Sequence, residues 1–222
     1  MKIRVSDIGT SPRATRAHAT RDKLLLRGYA LVPGVLDAGL VEQLHRDIDC
    51  QATAKSRASG DRTVRDGYPR LESFRLVVEN EEIRAIAMTV CGEDAHLRFV
   101  KGAVRVAGEG ELATHTDTGA HTSSPFVRPA QFFTIHVICE QLRPEHGATF
   151  FVPNSHRLMR DPTPDEVASA DRVWVDAEPG DLVCWLGETW HGRFSRTTPG
   201  ERVSLFLMFT AADFGEDLTP SS

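Results

Sequence analysis

The spacing of hydrophobic residues changes near residue 95. Before that point apolar residues recur at helical intervals, as at Leu40, Leu44 and Ile48. After it, short apolar runs alternate with turn residues such as glycine, proline and asparagine. The pattern therefore predicts a mainly helical part over 14–94 and a β-rich part over 95–210.

Three helices and one strand are predicted in the N-terminal part. The helices cover 14–27, 38–52 and 79–90, and the strand covers Tyr29–Val32. Asp37 is expected to cap the second helix, because a carboxylate before the first turn accepts hydrogen bonds from exposed amides. Residues 1–13 contain a Gly-Thr-Ser-Pro cluster and no helical period, which favours a loose arm.

Eight short strands are predicted after residue 95, a pattern typical of a sandwich or jelly roll. They lie at 96–107, 112–117, 131–140, 148–153, 172–176, 181–187, 193–197 and 202–210. Two polar, turn-rich segments, 54–72 and 119–130, interrupt the predicted elements. Each is either a solvated connection or a mobile lid over a site.

Composition and charge narrow the classes of protein that fit. The chain has 222 residues, 41% hydrophobic and 26% charged, which suits one globular domain over 1–222. A net charge of −5 without a basic tract argues against nucleic-acid binding. Four scattered cysteines favour reduced thiols and a cytoplasmic location, and no apolar run reaches membrane length. The predicted partner is a small molecule, and the oligomeric state is left open.

The candidate chemistry is centred on His115-Thr116-Asp117. In an extended segment both ionisable side chains leave the same face, and they supply two of the three ligands of a 2-His-1-carboxylate iron site. The pattern alone also fits a turn in which the aspartate caps amides and the histidine is solvated. His191, far downstream, is the candidate third ligand, and Arg202 follows it by eleven residues. His115, Asp117 and His191 are called the triad below.

Four motifs together resemble the phytanoyl-CoA dioxygenase-like family of Fe(II)- and 2-oxoglutarate-dependent oxygenases. They are His115-Thr116-Asp117, the segment 147–156 ending in Pro153-Asn154-Ser155-His156, the pair His191-Gly192, and Arg202. Asn154 stands where the family usually has glycine. The resemblance runs from about Asp22 to Phe209. It implies a mainly β fold with N-terminal helices packed on a double-stranded β-helix, the cupin-like jelly roll.

The resemblance also implies the cofactors. The triad is expected to bind Fe(II), with 2-oxoglutarate and O2 as co-substrates. Arg202 is expected to bind the distal carboxylate of 2-oxoglutarate, the alternative being a salt bridge to a carboxylate of the protein. Ser204 lies on the same strand face as a further donor. His136 stands where many relatives have tryptophan beside the co-substrate. It either lines this pocket or is a hydrogen-bonded histidine of the core.

The resemblance bears on the reaction as well. Halogenating relatives replace the carboxylate with alanine or glycine, so Asp117 implies hydroxylation, desaturation or oxidative ring closure. Polar residues of the two interrupting segments suit a small polar natural product, including a sugar- or aminoglycoside-like one and orthoester-type ring closure. These candidate substrate-binding residues are Arg65, Tyr68, His121 and Arg128.

Two alternatives come from other classes of protein. A cupin-like protein could hold another metal for non-redox chemistry, or bind a small ligand, because a fold does not determine a function. Arg202 discriminates against it, since a buried guanidinium suits a dicarboxylate co-substrate. An inactive relative serving as an interaction module is disfavoured by the intact triad.

Overall fold

The computed structural model describes residues 12–55, 62–108, 110–121, 126 and 128–214. The helices are α1 Pro12–Arg27, α2 Ala38–Gln51, α3 Glu72–Glu79, α4 Glu81–Cys91, α5 Asp117–His121 and α6 Pro164–Ser169. The strands are β1 Tyr29–Val32, β2 Ala54–Lys55, β3 Arg62–Val64, β4 His96–Val106, β5 Leu112–His115, β6 Phe132–Ile138, β7 Thr149–Phe151, β8 Val173–Trp174, β9 Leu182–Leu186, β10 His191–Arg193 and β11 Glu201–Thr210.

These strands form two antiparallel sheets. The larger has seven strands in the order β1-β9-β6-β11-β4-β3-β2, and the smaller has the order β5-β10-β7-β8. Strands distant in sequence are neighbours in both sheets, as expected for a jelly roll. The predicted fold class, a jelly-roll core with N-terminal helices, is confirmed.

The larger sheet separates two layers of side chains. On the central strand β11, Val203, Leu205 and Leu207 pack into the core shared with the helices. Successive side chains of a strand point to opposite faces, so Arg202 and Ser204 face the smaller sheet. The face between the two sheets therefore carries the candidate chemistry.

The N-terminal part holds more structure than its sequence predicted. Helix α3 was not predicted, and the predicted loop 54–72 contains β2 and β3. Strand β3 lies between the edge strand β2 and β4, and Thr63 is opposite Ala103 on β4. Such a partner is set by long-range pairing and leaves no local signal. Most of the predicted arm lies outside the described residues, but Pro12 and Arg13 already belong to α1.

Two predicted strands near the triad were placed wrongly. The strand predicted at 193–197 is β10, which begins at His191. The strand predicted at 112–117 ends at His115, and Asp117 begins α5. The chain turns because the Asp117 and Thr118 amides donate to Gly187 O at 3.0 and 3.2 Å, outside any strand pairing.

Candidate active site

Strand pairing brings the two histidines of the triad together. His115 on β5 and His191 on β10 are directly opposite each other in the smaller sheet. Their ring centroids are 4.5 Å apart. The two histidines are 76 positions apart in the sequence. The pairing register of β5 and β10 therefore places the distal histidine beside the His-Thr-Asp motif.

Asp117 completes the group from the first turn of α5. Its Oδ1 lies 3.5 Å from His191 Nε2 and 4.0 Å from His115 Nε2. One ligand atom from each residue lies within 4.8 Å of the others. Three donor atoms at this mutual distance can bind one metal ion from one side.

Backbone carbonyls orient both imidazole rings. His115 Nδ1 donates to Ala113 O, and His191 Nδ1 donates to Thr189 O, each at 2.8 Å. A carbonyl oxygen can only accept, so the proton of each neutral ring is on Nδ1. The Nε2 lone pairs are therefore left for a metal, as in most histidine-ligated sites.

The carboxylate of Asp117 is oriented in the same way. Trp185 Nε1 donates to Oδ2 at 2.8 Å, and Thr134 Oγ1 donates to the same oxygen at 3.0 Å. Asp117, Trp185 and Thr134 are all buried. Because Oδ2 is occupied by two donors, Oδ1 is the oxygen that faces His191 and a bound metal.

The electrostatics keep this carboxylate ionised. Burial opposes the charge, but His191, His115 and the Trp185 N–H together hold the pKa of Asp117 below its usual range. Burial lowers the pKa of His191, yet the neighbouring Asp117 outweighs it and the pKa is raised. Burial and the proximity of His191 lower the pKa of His115. The donor set of two imidazoles and a carboxylate fits Fe(II) with open positions.

The predicted co-substrate residues share the face between the sheets. Arg202 and Ser204 are buried on β11. His136 on β6 is also buried and stacks on Phe206 with centroids 4.3 Å apart. Within the described ranges neither ring nitrogen of His136 has a protein hydrogen-bond partner, and its role beside the co-substrate stays a prediction. Burial and the charge of Arg202 hold the pKa of His136 well below its usual value.

The predicted substrate residues are not gathered at the triad in the same way. Arg65 and Tyr68 are exposed in the turn after β3. Arg128 donates to both carboxylate oxygens of Asp213, at 3.0 and 2.6 Å. His121 ends α5, and its side chain lies outside the described residues, as do residues 122–125 and 127 of the predicted loop 119–130. The roles of these four residues stay predictions.

Sequence reasoning missed the groups that orient the ligands. Trp185, Thr189 and Gly187 follow no motif, and only their contacts with the triad give them a role. Thr134 had one signal: it alternates with His136 on a predicted strand, so the two share a face.

Comparison with known proteins decides the family. A family model described as phytanoyl-CoA dioxygenase (PhyH) matches residues 25–204. The chain belongs to the phytanoyl-CoA dioxygenase family. This confirms the resemblance carried by the four motifs. It also confirms the predicted enzyme class, a dioxygenase that uses Fe(II) and 2-oxoglutarate, and the triad provides the ligand set that this class requires.

One curated relative is similar to the chain in sequence, and solved structures are similar to it in fold. Dioxygenase cdmD of Talaromyces verruculosus is 30% identical to the chain in an alignment covering 84% of this chain and 71% of cdmD. The epimerase SnoN, solved with Fe3+, alpha ketoglutarate and nogalamycin RO, is 24% identical with a TM-score of 0.75, covering 89% of this chain and 84% of SnoN. HygX of Streptomyces hygroscopicus, solved with nickel and 2-oxoglutarate, is 16% identical with a TM-score of 0.77, covering 88% and 87%.

Some sequence predictions remain open. Among the described residues, none of the helices combines the length and the apolar character needed to span a bilayer. The cytoplasmic location, the absence of nucleic-acid binding and the single domain over 1–222 stay predictions.

One buried acid beside the triad leads to a test of stability. Glu188 lies between Gly187 and Thr189, whose carbonyls accept from Asp117 and His191. Burial raises the pKa of Glu188 from 4.5 to about 7. The folded protein should therefore bind this proton more tightly than the unfolded chain, and the contribution of Glu188 to stability should fall by about 3 kcal/mol as the pH rises from 4.5 through 7.

The change Glu188→Gln should remove this loss, because the amide is neutral at every pH. The difference in free energy of unfolding between variant and wild type should grow in favour of the variant by about 3 kcal/mol between pH 4.5 and pH 8. Urea unfolding across this range measures it. Glu93→Gln, at an exposed position, serves as the control. A difference independent of pH would contradict the prediction.

Proposed function

We propose that the protein oxidises a small polar natural-product intermediate by hydroxylation or oxidative ring closure. The observation that supports this proposal best is the triad. Nε2 of both histidines and Oδ1 of Asp117 lie close enough together to bind one metal ion. When bound, Fe(II) with 2-oxoglutarate and O2 supplies the oxidant for a substrate C–H bond.

The residues around the triad have separable tasks in this proposal. Trp185 and Thr134 keep one oxygen of Asp117 away from the metal, which leaves the carboxylate a single-oxygen ligand. Arg202, with Ser204 and His136 on the same face, is proposed to bind 2-oxoglutarate through its distal carboxylate. The side chain of His115 is about one third exposed, so solvent reaches the site from the β5 side.

Two observations support this class of substrate. HygX has also been solved with hygromycin B, and SnoN with nogalamycin RO, so the fold accepts small natural products in these proteins. Arg65 and Tyr68 are exposed and polar in the turn after β3, which pairs with β4. A sugar- or aminoglycoside-like substrate, including one closed to an orthoester, would suit such groups.

Succinate release tests the proposal. Purified protein with Fe(II), 2-oxoglutarate and O2 is screened against aminoglycosides, glycosylated polyketides and simple sugars. The expected result is succinate formation coupled one to one with an oxidised product for one of these classes. Coupled turnover only with apolar acyl substrates would contradict the substrate class and leave the enzyme class intact.

Binding of 2-oxoglutarate distinguishes the proposed oxygenase from the non-redox, cupin-like alternative. A cupin-like isomerase or ligand-binding protein would bind a metal without needing 2-oxoglutarate. Calorimetry with the Ni(II)-loaded protein should show one 2-oxoglutarate bound per chain. Metal binding without any 2-oxoglutarate binding would favour the cupin-like alternative.

The presence of Asp117 predicts the outcome of turnover in chloride. The carboxylate takes the coordination position that chloride would need, so no chlorine should enter the product. Mass spectrometry of the product formed in chloride buffer should show added oxygen or loss of two hydrogens. A chlorinated product from wild-type protein would show that the carboxylate argument is wrong.

A further inference from the structure

A surface segment contacts both stretches of the polypeptide that carry the triad. It follows β7 and a short 3-10 helix, Ser155–Leu158, and its central residues are Arg160 and Asp161. On one side the hydroxyl of Thr116 donates to Asp161 Oδ1. Thr116 lies between the two ligands His115 and Asp117, so this contact reaches both.

The other side of the segment contacts the residue that precedes His191. Trp190 Nε1 donates to Arg160 O at 2.7 Å, and the Arg160 guanidinium lies 5.2 Å from the centroid of the Trp190 ring. Trp190 directly precedes His191. Its amide also donates to Ser155 Oγ at 2.8 Å. The segment therefore fixes the residue next to the third ligand.

The segment is itself anchored. Arg160 donates to both carboxylate oxygens of Glu166 at 2.8 and 2.7 Å. Glu166 is the third residue of a capping box with Thr163 at the start of α6. This arrangement holds the backbone of Arg160 and Asp161 in one position relative to α6.

Asp161 also fits closely against α5. A methyl group added at Gly119 would lie 2.7 Å from Asp161 Oδ2, too close for any real contact. The Gly119 amide donates to Thr116 Oγ1 at 3.3 Å. The hydroxyl of Thr116 is therefore oriented from both sides, with Gly119 as donor and Asp161 as acceptor.

We propose that Asp161 is a positioning residue of the metal centre. Its hydrogen bond with Thr116 holds His115 and Asp117 at the correct distance from His191. The adjacent Arg160 fixes the position of Trp190, the residue before His191. The role requires metal binding by the triad, on which the proposed function also rests, and does not depend on the substrate.

Metal titration of variants tests this role without turnover. Asp161→Ala should weaken Co(II) binding about tenfold, the loss expected from one charge-assisted hydrogen bond. It should also change the visible absorption of bound Co(II), which reports ligand geometry. Asp161→Asn should retain most of the affinity and the wild-type spectrum, because its amide oxygen can still accept from Thr116.

Thr116→Val provides the second arm, because it removes the donor and leaves Asp161 in place. It should reproduce the Asp161→Ala affinity and spectrum, and the double variant should be no weaker than either single one. Asp165→Ala, at an exposed position in the first turn of the neighbouring helix α6, is the matched control and should behave as wild type. Thermal unfolding of each apo-protein confirms that the variants fold.

The outcomes separate this proposal from the proposed function. Unchanged affinity and spectrum in folded Asp161→Ala would overturn the positioning role, as would a Thr116→Val variant identical to wild type. Wild-type protein that bound no Co(II) would refute the metal centre, and with it both proposals.

Discussion

Alanine at both His115 and His191 should abolish stoichiometric binding of Fe(II) or Ni(II). The two Nε2 atoms are two of the three donors, and Oδ1 of Asp117 alone cannot hold the ion in water. Loss of one group that merely orients a ligand costs about 10–100-fold in metal affinity, so loss of two ligands should exceed about 100-fold. Calorimetric titration of apo-protein with Ni(II) measures the affinity and the stoichiometry together.

A matched variant separates ligand loss from general damage. His96, at an exposed position at the start of β4, is replaced by alanine as the control and should bind one Ni(II) with wild-type affinity. Wild-type stoichiometry that survived the double His115 and His191 substitution would place the metal elsewhere. The assignment of the triad would then be wrong.

Replacing Arg202 with alanine should weaken 2-oxoglutarate binding and leave Fe(II) affinity nearly unchanged. Arg202 is buried on the face between the sheets, where a carboxylate partner is removed from water. Loss of one member of such a charge pair typically costs ~2–5 kcal/mol. That corresponds to a loss of affinity on the order of tens to thousands of fold.

Binding of 2-oxoglutarate to Ni(II)-loaded protein measures this effect apart from turnover. Arg202→Lys should fall between wild type and Arg202→Ala, because a lysine keeps the charge and loses the two-pronged geometry. Arg143→Ala, at a half-exposed arginine 4.0 Å from Glu178, is the control and should change nothing. Unchanged co-substrate affinity in folded Arg202→Ala would revive the cupin-like alternative.

Two findings change how the site is understood. The buried imidazole of His136 has no hydrogen-bond partner among the described residues, although a neutral imidazole ring offers one donor and one acceptor. Arg128, predicted to contact the substrate, is engaged by Asp213. A substrate contact from Arg128 would have to compete with an ion pair that is already formed.

The amino-acid sequence by itself determined the enzyme class of this protein. The identities of the triad, the His-Thr-Asp spacing and the eleven-residue offset of Arg202 are local or motif properties, and they led to the correct family. The change from helical to alternating hydrophobic spacing led to the correct fold class. Each helix or strand buries one face, and this alone sets the spacing of its apolar residues. The spacing can therefore be recognised in the sequence without knowing which elements pack against it.

Only the tertiary structure decided how the ligands are held. The register that sets His191 opposite His115 and the donors from Trp185 and Thr134 to Asp117 depend on pairings between distant strands. The contact of Asp161 with Thr116 depends on a segment forty-five residues away. Such contacts are selected by the packing of the whole chain, because each becomes favourable only after the sheets have formed, and no local pattern of residues encodes them.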